Sequence, residues 1–167
     1  TVLADAGVGK TRLRRELLEK LALDGDGPGL LQARAHPDSS LQPYGLLRDL
    51  MAWRLEIADS DGASTAREKW LAGLVPLLGD AGTTLACALG HLVGLDFSAH
   101  SAMAGLDKDA RLLRDRAWTA FATYVDALAR HGAAEVAGPT PVVMLLDDLH
   151  WADDASLDAL DHLVATA

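Results

Sequence analysis

The chain has 167 residues, half of them apolar, which suits one domain with a buried core and argues against a disordered segment. Its net charge of −9 repels phosphate backbones and makes direct nucleic-acid binding by this chain a poor expectation. A single cysteine, Cys87, rules out an internal disulfide and fits a reducing, cytoplasmic setting, and no apolar run reaches the roughly 18–20 residues of a membrane span.

Taken in chain order, Thr1 to Leu3 read as the tail of a strand, followed by a glycine-rich turn. Residues 10–23, KTRLRRELLEKLAL, place Leu13, Leu17 and Leu21 four apart, the spacing of an apolar stripe on a helix. DGDGPG at 24–29 is a loop, LLQARA at 30–35 a short strand, and HPDSSLQP a second loop. Helical patterns follow at 44–57, 64–78 and 81–93, then a loose connection from Gly94 to Gly105. Asp107 can cap a long helix at 108–130 whose buried side would carry Leu112, Trp118, Phe121, Val125 and Leu128. HGAAEVAGPTP is a linker. VVMLL at 142–146 is a strand expected to be buried on both faces, and a final helix starts after Asp153 or Asp154 as cap. Trp53, Trp70, Trp118 and Cys87 read as core, and His91 and His162 as structural or exposed. Strand, glycine turn, helix, strand, helices, buried strand, helix is an α/β order.

The glycine turn carries chemistry. The phosphate-loop pattern G-x-x-x-x-G-K-[ST], set between a strand and a helix, is matched by Ala4-Asp5-Ala6-Gly7-Val8-Gly9-Lys10-Thr11 at every fixed position except the first glycine. Gly7 and Gly9 let successive N–H groups, those of Ala6 and Val8 included, turn inward as an anion nest. Lys10 supplies charge for the β- and γ-phosphates, Thr11 a hydroxyl for Mg²⁺, and the helix start at Thr11 and Arg12 its positive dipole end. Ala4 serves if its φ is negative; otherwise it carries about 1 kcal/mol or more of strain.

The second motif is PVVMLLDDLHWADDASL. A buried strand there ends in Asp147 and Asp148, and ligands of α/β sheets bind at the carboxyl ends of strands. One carboxylate at that edge can hold Mg²⁺, and its neighbour can orient a water against the γ-phosphate. The alternative is a polar strand exit that caps the next helix.

AGVGKTRL together with VVMLLDDLHWADDASLDAL resembles the signal-transducing P-loop ATPases, an AAA-like branch found in large LuxR-type transcription regulators and beside class III nucleotide-cyclase domains in bacteria. SSLQPYGLLRDL at 39–50 is similar to the family's segment after the second strand, whereas 58–140 has no residue-by-residue match. The resemblance implies an α/β P-loop NTPase fold, a parallel sheet with flanking helices, and a helical insertion between the second strand and the Walker B strand. It implies ATP and Mg²⁺ as cofactors. Ala6, Gly7, Val8, Gly9, Lys10, Thr11 and Arg12 would bind nucleotide, and Thr11 and Asp147 would bind the metal. Asp148 and Lys10 would be catalytic, Asp148 standing in the base position where many relatives carry Glu. His150, Trp151 and Asp153 match the signature without an evident chemical role; beside the aspartates His150 suggests a metal site less readily than packing at the strand exit. Tyr44, after Pro43, could approach the base or simply serve a helix start.

The D-x-x-G that GTPases place after their magnesium aspartate is absent, which favours ATP. The resemblance implies a switch module whose ATP/ADP state is read by attached output domains, with a homo-oligomer formed on ATP binding as one outcome, and no contact with nucleic acid or membrane. A non-hydrolysing, nucleotide-gated scaffold is the alternative. The chain does not begin with Met, opens in a strand and stops in a helix, so residues 1–167 are expected to be one ATPase-domain segment truncated at both ends. In the strand order 5-1-4-3-2 of the class, a later strand with its sensor residue would follow residue 167.

Overall fold

The computed structural model describes residues 9–23, 29–37, 42–106, 108–131 and 141–166, and the side chains of all of these except 10, 11, 21–23 and 131. Among the described residues, helix α1 (Lys10–Leu23) leads to strand β1 (Gly29–Arg34), helices α2 (Gly45–Arg54), α3 (Ala63–Leu74), α4 (Gly82–Leu92) and α5 (Ala110–His131), strand β2 (Val142–Asp147) and helix α6 (Asp154–Thr166). The expected opening strand at residues 1–3 lies outside the described residues.

The two strands pair in parallel, from Gly29 opposite Val142 to Arg34 opposite Asp147. The ladder runs one bond further, from Ala35 N–H to the Asp147 carbonyl at 3.0 Å. β1 alternates as a half-buried strand should: Leu31, Ala33 and Ala35 are buried on one face. Parallel pairing requires a crossover, and α2 to α5 supply it.

The core lies where α4 meets α3 and α5. α5 presents Ala117, Ala120, Phe121, Tyr124, Ala127 and Leu128, three and four residues apart, and the small alanines let α4 approach closely. Trp70 of α3 is buried, and its indole N–H donates to the Ala86 carbonyl at 2.8 Å, so the polar atom of the largest core side chain is satisfied. Cys87 is buried beside it on α4, as expected, and burial pushes its thiol pKa up.

Several expectations need correction. Leu13 and Leu17 have the right spacing, yet they are 54% and 39% exposed, because no described element covers that face of α1. Trp53 is 43% exposed rather than core: α2 buries Leu46, Leu47, Leu50 and Met51, and Trp53 falls outside that arc. Leu112 is also exposed, because the neighbouring Leu113 is the residue of that turn that packs against the core. β2 is half-buried at every position instead of being enclosed on both faces, since among the described residues β1 alone flanks it. The cap of α5 is Asp109, whose Oδ1 accepts the N–H groups of Arg111 and Leu112 at 3.0 Å each; Asp107 lies outside the described residues.

Gly90 shows how tight the α4 packing is. A methyl group there would press into the Phe97 ring and come within 2.9 Å of Trp70 Nε1. Gly90→Ala is expected to cost about 1–3 kcal/mol, read as a lower urea midpoint at unchanged slope.

Candidate nucleotide site

α1 begins at Lys10, directly after Gly9. Gly9 has φ +97°, a left-handed backbone that glycine adopts without steric cost, and the Leu13 N–H closes the first turn onto the Gly9 carbonyl at 2.9 Å. Ala6, Gly7 and Val8 lie outside the described residues, as do the side chains of Lys10 and Thr11. Arg12 is exposed, and its Nε donates to Glu16 Oε1 one turn along the helix at 2.8 Å.

The second half of the site is the carboxyl end of β2. Asp147 is the last strand residue; its Oδ1 accepts the Asp148 N–H at 3.1 Å, and its Oδ2 lies 3.9 Å from Nη1 of Arg14 on α1. Helix α1 and Asp147 therefore meet through an arginine that the motif does not specify. Asp148 turns away. Its backbone is left-handed at φ 54° and ψ 39°, and Nε and Nη2 of Arg34 donate to its Oδ2 at 2.9 and 2.8 Å. Arg34 is the last residue of β1 and the register partner of Asp147. Ion pairs this exposed contribute about 0–1 kcal/mol, so their effect is on orientation more than stability. A short turn, Leu149–Trp151, then carries the His150 and Trp151 rings 4.9 Å apart on the surface.

Asp153 is the buried charge of the region. Its Oδ1 accepts the N–H groups of Tyr44 at 2.7 Å and Ser156 at 2.8 Å; its Oδ2 accepts the Leu46 N–H at 3.3 Å and the Ser156 hydroxyl at 2.7 Å. Ser156 Oγ in turn accepts the Leu47 N–H at 3.1 Å. Asp153 thus caps its own helix α6 and, with Ser156, also caps α2, which has no capping side chain of its own. Both helix dipoles point their positive ends at the same carboxylate. This accounts for the Asp-x-x-Ser part of the second motif. Tyr44 sits at the start of α2 with φ 62°, held through its N–H, so the capping alternative describes it. Trp118 is half-buried beneath Arg114, 5.2 Å from its ring centre, and the His162 ring, 4.9 Å away.

Motif reading missed Arg14, Arg34 and Ser156. Arg34 had a usable signal, since it is the one charged residue of its strand and stands at that strand's carboxyl end. Arg14 had a weaker one: Arg12 and Arg15 have glutamates four residues on, and Arg14 has Leu18.

Among the described residues no three His, Cys, Asp or Glu side chains converge on one point. A nucleotide-bound Mg²⁺ needs no such cage; it takes one or two protein oxygens and completes its shell with phosphate and water. Asp147, partly exposed at a strand end with Oδ2 turned toward α1, is a hard oxygen donor of that kind.

A left-handed glycine leading into a helix, a parallel strand pair with a helical crossover, and an aspartate at the strand end facing that helix are the parts of an α/β P-loop NTPase. The family model of the AAA ATPase domain matches residues 1–167, and the chain belongs to that family. Nucleotide binding, usually with Mg²⁺, is the chemistry of the family. No curated protein and no solved structure gives a significant match. Among the described residues, no helix is long and apolar enough to cross a membrane.

Burial pushes the Asp153 carboxyl up, but the bonds from the Ser156 hydroxyl and from the Ser156, Tyr44 and Leu46 N–H groups outweigh it, and its pKa lies below the ordinary 3.8. A carboxyl depressed on folding stabilises above its unfolded value, and that stability is lost as pH falls through the lower folded value. Asp153→Ala is therefore expected to destabilise the protein at pH 7 by about 2–4 kcal/mol, through the orphaned N–H groups of both helices. The gap from the parent should shrink below pH 3.8. Asp61 and Asp96 are depressed as well, by Lys69 and Ser98 respectively, so the difference in urea midpoint between parent and variant across pH isolates Asp153.

Proposed function

We propose that this AAA ATPase domain is an ATP-binding, slowly hydrolysing switch module of a larger bacterial signalling or transcription regulator, acting on attached output domains. The observation that supports it best is the meeting of α1 with the carboxyl end of β2, where Asp147 and Asp148 follow each other. In this reading the nest of Ala6, Gly7, Val8 and Gly9 binds the phosphates with Lys10 and the first turn at Arg12. Thr11 and Asp147 hold Mg²⁺, which when bound neutralises phosphate charge. Asp148 orients the attacking water and accepts its proton.

The Arg34 contact favours a second reading. Asp148 Oδ2 already receives two donors from one guanidinium. A carboxylate held in this way by the neighbouring strand is not free to orient a water, and a domain that kept it so would bind nucleotide and act as a gated scaffold without turnover.

Titration with ATP and measurement of phosphate release separate these readings. Lys10→Ala should weaken ATP binding about 10- to 100-fold, the value of a charge-assisted phosphate contact. Asp148→Asn should bind ATP nearly as the parent does and release phosphate more slowly. A parent no faster than Asp148→Asn favours the scaffold, and unchanged affinity in Lys10→Ala removes the nucleotide-site assignment.

A further inference from the structure

The first turns of α1 carry three arginines, and two of them are satisfied within the helix. Arg12 pairs with Glu16 and Arg15 with Glu19, each four residues on. Arg14 has Leu18 at that spacing and reaches out of the helix instead, to Asp147 Oδ2 at 3.9 Å. The other oxygen of Asp147 is held by the Asp148 N–H. Arg14 therefore faces the carboxylate oxygen that has no backbone donor.

We infer that Arg14 is a resident counter-charge for Asp147, exchanged for a divalent cation when nucleotide binds. The inference rests on Asp147 being the metal carboxylate. A guanidinium at this distance and a hydrated Mg²⁺ on the same carboxylate oxygen repel each other, because both are cationic. The side chains are 34% and 30% exposed, so water screens the pair and it opens at little cost. A cleft of about 320 Å³ lined by Arg12, Arg14, Arg15 and Leu18 gives the displaced guanidinium room to swing aside. Without nucleotide, Arg14 keeps the strand-end carboxylate from standing uncompensated. With Mg²⁺ present, Arg14 sets a threshold that the ion must exceed. Arg14 is a positioning residue here, acting through Asp147.

The test is the Mg²⁺ concentration that half-saturates the enhancement of ATP binding, measured by calorimetry on the full chain, with ATP affinity in EDTA measured beside it. Arg14→Gln should lower that concentration about two- to fivefold, the worth of a screened ion pair, and leave ATP affinity in EDTA unchanged. Arg14→Lys, which keeps the charge, should stay near the parent. Arg15→Gln removes the same charge from the same helix without touching Asp147 and should also stay near the parent. An unchanged threshold in Arg14→Gln overturns the exchange, as does an equal drop in Arg15→Gln or a loss of ATP affinity in EDTA, which would make Arg14 a phosphate ligand. Asp147→Asn separates the two layers. If it abolishes the Mg²⁺ enhancement while Arg14→Gln leaves the threshold alone, only this inference fails. If Asp147→Asn keeps the parent's threshold, the metal assignment of Asp147 fails and takes the exchange with it.

Discussion

Much of the arrangement depends on one carboxylate. Asp153 accepts four hydrogen bonds on two oxygens, which uses the acceptor capacity of a carboxylate in full. Two of the donors belong to α6 and two to the start of α2, so a single buried charge fixes the beginnings of two helices against each other. The cost of burying it is offset because it is fully bonded and lies at two positive helix ends. Asp153 also follows β2 after one short turn, and α2 packs on β1. The ends of both strands are thereby referred to one point.

That reference point gives the strand ends their order. Arg34 and Asp147 face each other in register, and the chain turns left-handed at Asp148 so that its carboxylate swings back over β1 to Arg34. Arg14 comes to Asp147 from α1. The two aspartates of one dipeptide thus answer to two different elements, one to the helix and one to the neighbouring strand. Adjacent carboxylates that share no partner can be changed separately, which suits a site where one group meets a metal and the next meets water.

The sequence made the helices legible because their periodicity is local: α1, α5 and α6 fall within a residue or two of the expected bounds, and so do both strands. Exposure was less legible. Leu13, Leu17, Leu112 and Trp53 have the spacing of buried residues, but spacing states which face they share and not whether anything lies against it. A motif marks candidate positions directly, as at Gly9, whose backbone is left-handed, and at Asp147, which ends β2. Arg14 and Arg34 could not be read in this way, since each has meaning only through a partner far along the chain. Asp153 was visible as a cap for α6; its second role depended on a helix that begins more than a hundred residues earlier.

The left-handed backbone at Asp148 also selects what can stand there. A residue at φ 54° brings its Cβ toward the following carbonyl, and short side chains that can bond locally tolerate this better than longer ones. Aspartate and asparagine are the most frequent side chains at such a position, although Glu56 at φ 53° and Tyr44 at φ 62° adopt it in the same chain. Many relatives carry Glu where Asp148 stands, and the left-handed backbone favours the shorter acid without excluding the longer one. The turn that starts at Asp148 also carries the chain from β2 to Asp153. The reach of the acid and the path of the main chain thus meet at one residue.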